Sequence, residues 1–289
     1  MKKWGLLLGA GLAMLWPATA EANVGIAFVH GTGHSTNALD ASWGREFVDT
    51  VRLGLPDPSN YTVVNCDFQQ TLWSEASTGC LADELGGFID AYDIEELIVV
   101  THSHGANMMR WILSNPTYDS RYPKIIESLV WMDSLAPSSL GTPLADAALN
   151  GNKFETTLGW LLGYENDAVE QQRPANMANF NANWLYGTPG RPQLPVPMWT
   201  VVGTAVETNV FDSDSYCGGY HLNVGLEVTA NWLDDCSDGF IECKSAAGAG
   251  KVWAYDHEFT ADGEPLNHNQ SRRACFGLPE VLRAGVESL

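Results

Sequence analysis

Leu97-Ile98-Val99-Val100-Thr101-His102-Ser103-His104-Gly105-Ala106-Asn107-Met108-Met109-Arg110 is the stretch on which the fold turns. The four apolar residues Leu97, Ile98, Val99 and Val100 in a row fit a strand buried on both faces. The run stops at a Ser between two His residues, a Gly follows two positions later, and 108–113 reads as helix. The stretch is therefore a strand, a sharp turn and a helix, with Ser103 at the apex. A hydroxyl held there lies at the carboxyl end of a strand, with the next backbone N–H aimed at the same point. Acyl transfer needs a nucleophile placed that way. The alternative is an ordinary buried strand followed by a surface turn.

Working outward, Val24-Gly25-Ile26-Ala27-Phe28-Val29 is a second apolar run, and it feeds the loop His30-Gly31-Thr32-Gly33. Strands are also expected over 61–66, 126–132, 198–202 and 251–255. Helices are expected over 42–55, which Pro56 stops, over 81–92, over 108–113, which Asn115-Pro116 stops, and over 272–286. Strands alternating with helices predict a mostly parallel sheet covered on both faces. Residues 143–197 read as an insertion rich in Trp, Phe, Tyr and Met, with helices over 158–162 and 177–186. Its apolar side chains either fill the core or form a lid and acyl-binding wall.

The chain has 289 residues, of which 45% are hydrophobic and 17% charged, so one large packed domain over 23–289 is expected. Residues 1–22 read as a signal peptide: Lys2 and Lys3 precede a short apolar run, and Ala18-Thr19-Ala20 and Ala20-Glu21-Ala22 offer cleavage sites. Export, extracellular or periplasmic, follows. No Cys near the cleavage point suggests a lipid anchor, and no later run has the length of a membrane helix, so no stable membrane insertion is expected. A formal charge of −20 repels nucleic acid. Six Cys in an exported chain suggest three disulfides. Cys66–Cys80 is the local pair, and Cys217, Cys236, Cys243 and Cys275 leave three pairings open. The sequence does not set the oligomeric state.

A Ser hydroxyl needs a base, a group that orients the base, and two N–H donors where the oxyanion forms. The backbone N–H of His104 follows the nucleophile, and that of Thr32 lies just after the first strand. Thr101-His102-Ser103-His104-Gly105 resembles the Gly-x-Ser-x-Gly elbow of the α/β-hydrolases, and of bacterial secreted lipases within them. Val29-His30-Gly31 resembles their oxyanion loop, and Leu135-Ala136-Pro137-Ser138-Ser139-Leu140-Gly141-Thr142 resembles their Ala-Pro-x-x-Gly-Thr segment. Ser237-Asp238-Gly239-Phe240-Ile241 resembles the turn that holds their acid, and Asn267-His268-Asn269-Gln270 resembles their His loop. These matches are short and run in family order over most of the chain. Thr101 stands where the family has Gly or Ala, and His104 replaces the usual Met, Leu or Gln.

The resemblance implies an α/β-hydrolase fold with a helical lid, and a triad of Ser103, Asp238 and His268. Asp133, after the preceding strand, is the rival acid, and His257, among carboxylates, the rival base. The implied activity is hydrolysis of carboxylic esters of lipid or acyl type. Polyester depolymerase, phospholipase or acyltransferase action uses the same residues, and a secreted binding protein that has lost its chemistry is the non-enzyme alternative. No cofactor and no catalytic metal is implied. His30, His34, His102 and His104 lack the partner residues of zinc motifs. Phe211-Asp212-Ser213-Asp214-Ser215 has oxygens enough for a structural Ca²⁺ but not the rest of a calcium loop, so it reads better as an acidic surface turn.

Overall fold

The computed structural model describes residues 22–149, 166–258 and 260–289. The leader expected over 1–22, all but its last residue, lies outside the described residues, as does the helix expected over 158–162.

Six strands form one sheet: β1 (Val24–Val29), β2 (Tyr61–Val63), β3 (Glu96–His102), β4 (Leu129–Leu135), β5 (Met198–Val202) and β6 (Lys251–Tyr255). Their order is β2-β1-β3-β4-β5-β6, and every neighbouring pair is parallel. Parallel strands need crossovers, and the crossovers cover both faces, which is why β1 and β3 read as continuous apolar runs. The side chains alternate accordingly. Ala27, Val29, Leu97 and Val99 face one core, with α2 (Cys80–Tyr92), α3 (Gly105–Ser114) and α4 (Tyr122–Ser128). Ile26, Phe28, Ile98 and Val100 face the other, where α1 (Arg45–Arg52) and the closing helix (Leu278–Glu287) pack. A third cluster, including Leu144, Val169, Val202, Leu226 and Phe240, gathers residues from the connections around β5.

The chain runs from β1 outward to β2 and returns across β1 to β3. The connections leaving β1 and β3 therefore diverge, and the crevice beyond their carboxyl ends is where open α/β sheets bind ligands. His30-Gly31-Thr32 and Ser103 sit there.

Several boundaries differ from expectation. The helix expected over 42–55 is split: a π-helical turn (Leu39–Trp43) ends at Gly44, whose φ is +82°, before α1 begins. The strand expected over 61–66 stops at Val63, because Cys66 leaves the sheet to pair with Cys80. Residues 126–128, expected to open β4, are the last turn of α4, whose Ile125 is buried against the core. The closing helix begins at Leu278 rather than 272. Gln270–Arg272 is a 3₁₀ turn, Cys275 is tied to Cys217, and Phe276 has φ +52°. The insertion contains three described helices: α5 (Pro143–Leu149), α6 (Asp167–Gln171) and α7 (Pro174–Asn183). Helix α7 covers most of the span expected over 177–186 but starts earlier, at a Pro, and ends at Asn183. After β5 come α8 (Tyr220–Ala230) and α9 (Cys243–Ala246), so the closing helix is α10. No helix among the described residues is long and apolar enough to cross a membrane.

Candidate active site

Ser103 follows β3 directly and has φ +52°, a left-handed conformation that is strained for a residue with a Cβ. Its N–H donates to the Leu135 carbonyl at 3.0 Å, which extends the β3–β4 ladder by one bond and fixes the apex. Helix α3 starts at Gly105. A Cβ on Gly105 would stand 2.3 Å from the His30 carbonyl oxygen, and one on Gly31 would stand 2.8 Å from the Ser103 Cβ. Both positions must be Gly for the loop after β1 and the turn after β3 to meet. Thr101 is not in that contact. Its hydroxyl lies 2.9 Å from the Ser134 hydroxyl on β4, so the β-branched residue takes a place in the sheet rather than between turn and helix.

The loop after β1 is held by a side chain of its own. His30 Nδ1–H donates to the Gly31 carbonyl at 2.7 Å. Burial pushes the His30 imidazole down to about 4, so it is neutral at physiological pH. A trans peptide is planar with C=O and N–H opposed, so drawing the Gly31 carbonyl toward His30 turns the Thr32 N–H away from it. Among the described residues, neither the Thr32 N–H nor the His104 N–H has an acceptor. The Thr32 hydroxyl accepts from Gln172 Nε2 at 2.7 Å, which links the insertion to this loop.

Asp238 and His268 come together on the connections after β5 and β6. His268 Nδ1–H donates to Asp238 Oδ2 at 2.8 Å, and the His268 backbone N–H donates to the Asp238 carbonyl at 2.9 Å. The other carboxylate oxygen, Oδ1, accepts from the N–H groups of Phe240 (2.9 Å) and Ile241 (2.6 Å). Asp238 is thus held through one oxygen by backbone N–H groups and meets the imidazole with the other. Cys236–Cys243 closes the Asp238 turn, and Cys217–Cys275 ties the segment after His268 to the loop before α8. The His268 ring lies between Phe240 and His102, with centroids at 4.7 and 4.6 Å. His102 Nε2 donates to the His268 carbonyl at 2.8 Å. Burial first, and then the charges of His268 and nearby arginines, hold His102 well below the usual histidine range. Ser103 and His268 line one cavity of about 80 Å³, together with Gly31, Thr32 and Arg272.

The rivals lie elsewhere. Asp133 is buried in β4 and accepts from the Trp131 indole at 3.0 Å, and burial raises its carboxyl to about 7. His257 is exposed and stands 3.4 Å from Asp256. His102 and His104 point to different partners, the His268 carbonyl and the Asn107 amide, as residues on either side of a sharp turn do. The only His, Cys, Asp or Glu cluster of metal-binding size among the described residues is Cys66, Cys80 and Glu84, and its two sulfurs are spent in a disulfide. Three contributors were not singled out from the sequence: His30 as a support of its own loop, Gln172 and Arg272. None belongs to a local pattern; each is recognised by what folding brings to it.

No protein-family model matches the chain, and no curated protein sequence does. Solved structures do. A lipase of Bacillus licheniformis in its mature form superposes with a TM-score of 0.64, at 18% identity over 92% of this chain and 93% of that one. The same lipase in its propeptide form gives 0.59 at 17% identity, over 88% of this chain and 48% of that one. A phospholipase of Legionella pneumophila gives 0.47 at 15% identity, over 78% of this chain and 44% of that one. The all-parallel sheet, the helices on both of its faces and the likeness to the Bacillus structures give this chain the α/β-hydrolase fold.

Proposed function

We propose that the protein is an exported serine hydrolase of carboxylic esters. The observation that carries the proposal is the strained Ser103 turn facing a cavity that is also lined by His268, whose Nδ1 is bonded to Asp238. Ser103 attacks the ester carbonyl. His268, with Nδ1–H committed to Asp238, offers Nε2 to take the Ser proton and return it to the leaving alcohol. The unpaired N–H groups of Thr32 and His104 hold the oxyanion. Water then attacks the acyl-enzyme, giving its proton to His268, which returns it to Ser103 Oγ as the carboxylic acid leaves. Three disulfides support export, as they form and persist in oxidising compartments. The Gln172 contact to Thr32 supports a lid role for the insertion, because motion of α6 would be felt at the oxyanion loop. The lipases among the solved structures support acyl esters as the substrate class. A series of p-nitrophenyl esters of increasing chain length, with a polyester film alongside, tests the proposal. Hydrolysis by the native protein and its loss in Ser103→Ala is expected. An inert native protein, or full activity in Ser103→Ala, would overturn it.

A further inference from the structure

The chain carries 35 acidic residues against 15 Lys and Arg, so a cation has every chance of finding a carboxylate. Arg45, Arg52, Arg121, Arg173 and Arg283 all do. Among the described residues Arg110, Arg191 and Arg273 have none, but the buried Arg110 guanidinium is enclosed by the Tyr186 and Ser139 carbonyls and the side-chain oxygens of Asn107 and Asn181, and Arg191 and Arg273 donate to the Leu185 and Ala41 carbonyls. Arg272 is less well accompanied than Arg110. It lines the cavity of Ser103 and His268, and no carboxylate among the described residues lies within ion-pair distance of it. Among the described residues its side chain makes one hydrogen bond, from Nη2 to Asn269 Oδ1 at 3.2 Å, and its Nε is buried with no partner. Burial, and then repulsion from Arg273, pushes it down to about 9, so it remains a cation at neutral pH.

Arg272 is also held in place. It closes the 3₁₀ turn that follows His268, so the two side chains enter the cavity from one loop. Asn269, which receives its one hydrogen bond, is itself fixed by donating to the Gly218 carbonyl at 2.8 Å. A desolvated guanidinium with an unused donor lowers its free energy by meeting a carboxylate or phosphate, whose paired oxygens match its fork.

We propose that Arg272 forms an anion subsite beside the nucleophile, so that the favoured substrates are carboxylic esters carrying a carboxylate or phosphate oxyanion close to the scissile carbonyl. The inference rests on the ester-hydrolase proposal and narrows its substrate. The small cavity suits it, because a site of about 80 Å³ is well below the roughly 300 Å³ of pockets that enclose whole drug-sized ligands. A compact charged group fits beside Ser103, while a long acyl chain has to run outside.

The test compares kcat/KM for p-nitrophenyl hemisuccinate with that for p-nitrophenyl butyrate, and for dilauroyl phosphatidic acid with that for dilauroylglycerol. The native protein, Arg272→Gln and Arg272→Lys are each measured. In Arg272→Gln the preference for the anionic member should fall about tenfold or more, mostly through KM, and Arg272→Lys should restore part of it. A fall in the first pair alone assigns a soluble carboxylate ester, and a fall in the second alone a phosphate-bearing lipid. An unchanged preference in both pairs overturns the subsite. A native protein that hydrolyses none of the four esters sinks the ester-hydrolase proposal instead. The native protein also gives a reading that needs no variant. Butylphosphonate should inhibit butyrate ester hydrolysis competitively at concentrations where butyramide does not, and equal inhibition by the two would overturn the inference.

Discussion

Ser103 and Thr32 sit where the parallel strands β3 and β1 end, whereas Asp238 and His268 sit on the long connections that follow β5 and β6. The first pair is positioned by the sheet: ladder register, a backbone bond from Ser103 to Leu135, and two Gly residues that let neighbouring turns touch. The second pair has no strand beneath it. Its geometry comes from hydrogen bonds inside loops and from two disulfides, Cys236–Cys243 around Asp238 and Cys217–Cys275 beyond His268. One side of the site inherits its precision from the fold, and the other builds it locally.

The largest effect is expected at the base. His268→Ala should lower kcat for a neutral ester by roughly 10⁴–10⁶-fold, while His257→Ala, a change at an exposed residue, keeps most of it. The reverse outcome in steady-state assays would put the base on the wrong loop. Next is the acid. Asp238→Asn should cost about 10⁴-fold, because the amide spoils the tautomer of His268. A larger loss from Asp133→Asn than from Asp238→Asn would return the acid to the sheet and dissolve the contrast between the two sides.

The disulfides sharpen the contrast further. Replacing both Cys236 and Cys243 by Ser should reduce kcat by roughly tenfold to a hundredfold, since small displacements of a catalytic group cost that much. Replacing Cys66 and Cys80, which bridge β2's exit to α2, should register mainly in stability, by about 2–4 kcal/mol in denaturant titrations. Equal effects on kcat from both pairs would show that the sheet side needs bracing too.

The smallest change in activity is expected from Asp133→Asn, whose effect is on pH dependence. Burial raises the Asp133 carboxyl from 3.8 to about 7. The folded state therefore binds this proton more tightly than the unfolded one, and native stability should fall as pH rises from about 4 to about 7, by roughly 4 kcal/mol at most. Asp133→Asn should flatten that slope in unfolding titrations at several pH values. A slope equal to that of the native protein would locate the titrating group elsewhere.

The same contrast explains what could be read from the chain. The sheet side was legible because its signals are contiguous: an apolar run, a Ser and a Gly two residues on. Strands β1, β5 and β6 fall on the expected residues and β3 extends its apolar run at both ends, and the misplaced edges of β4 and α10 lie where a helix abuts a strand or a disulfide interrupts a helical pattern. On the loop side, Asp238 and His268 were proposed through family resemblance, with residues of the same type close by. The Cys217–Cys275 pair spans 58 positions, so spacing alone left it open. His102 and His104 invited a metal reading because their spacing is visible in the sequence and the turn that separates their directions is not. Gln172 and Arg272 gain their places from tertiary contacts with Thr32 and with the cavity, for which no local pattern exists.

The central claim is that Ser103 is an activated nucleophile. Reaction of the native protein with a fluorophosphonate ester, followed by mass spectrometry of its peptides, tests it most directly. One adduct on Ser103 is expected, lost in Ser103→Ala and formed far more slowly in His268→Ala. A folded protein left unmodified at Ser103, or modified equally fast without His268, would contradict the account.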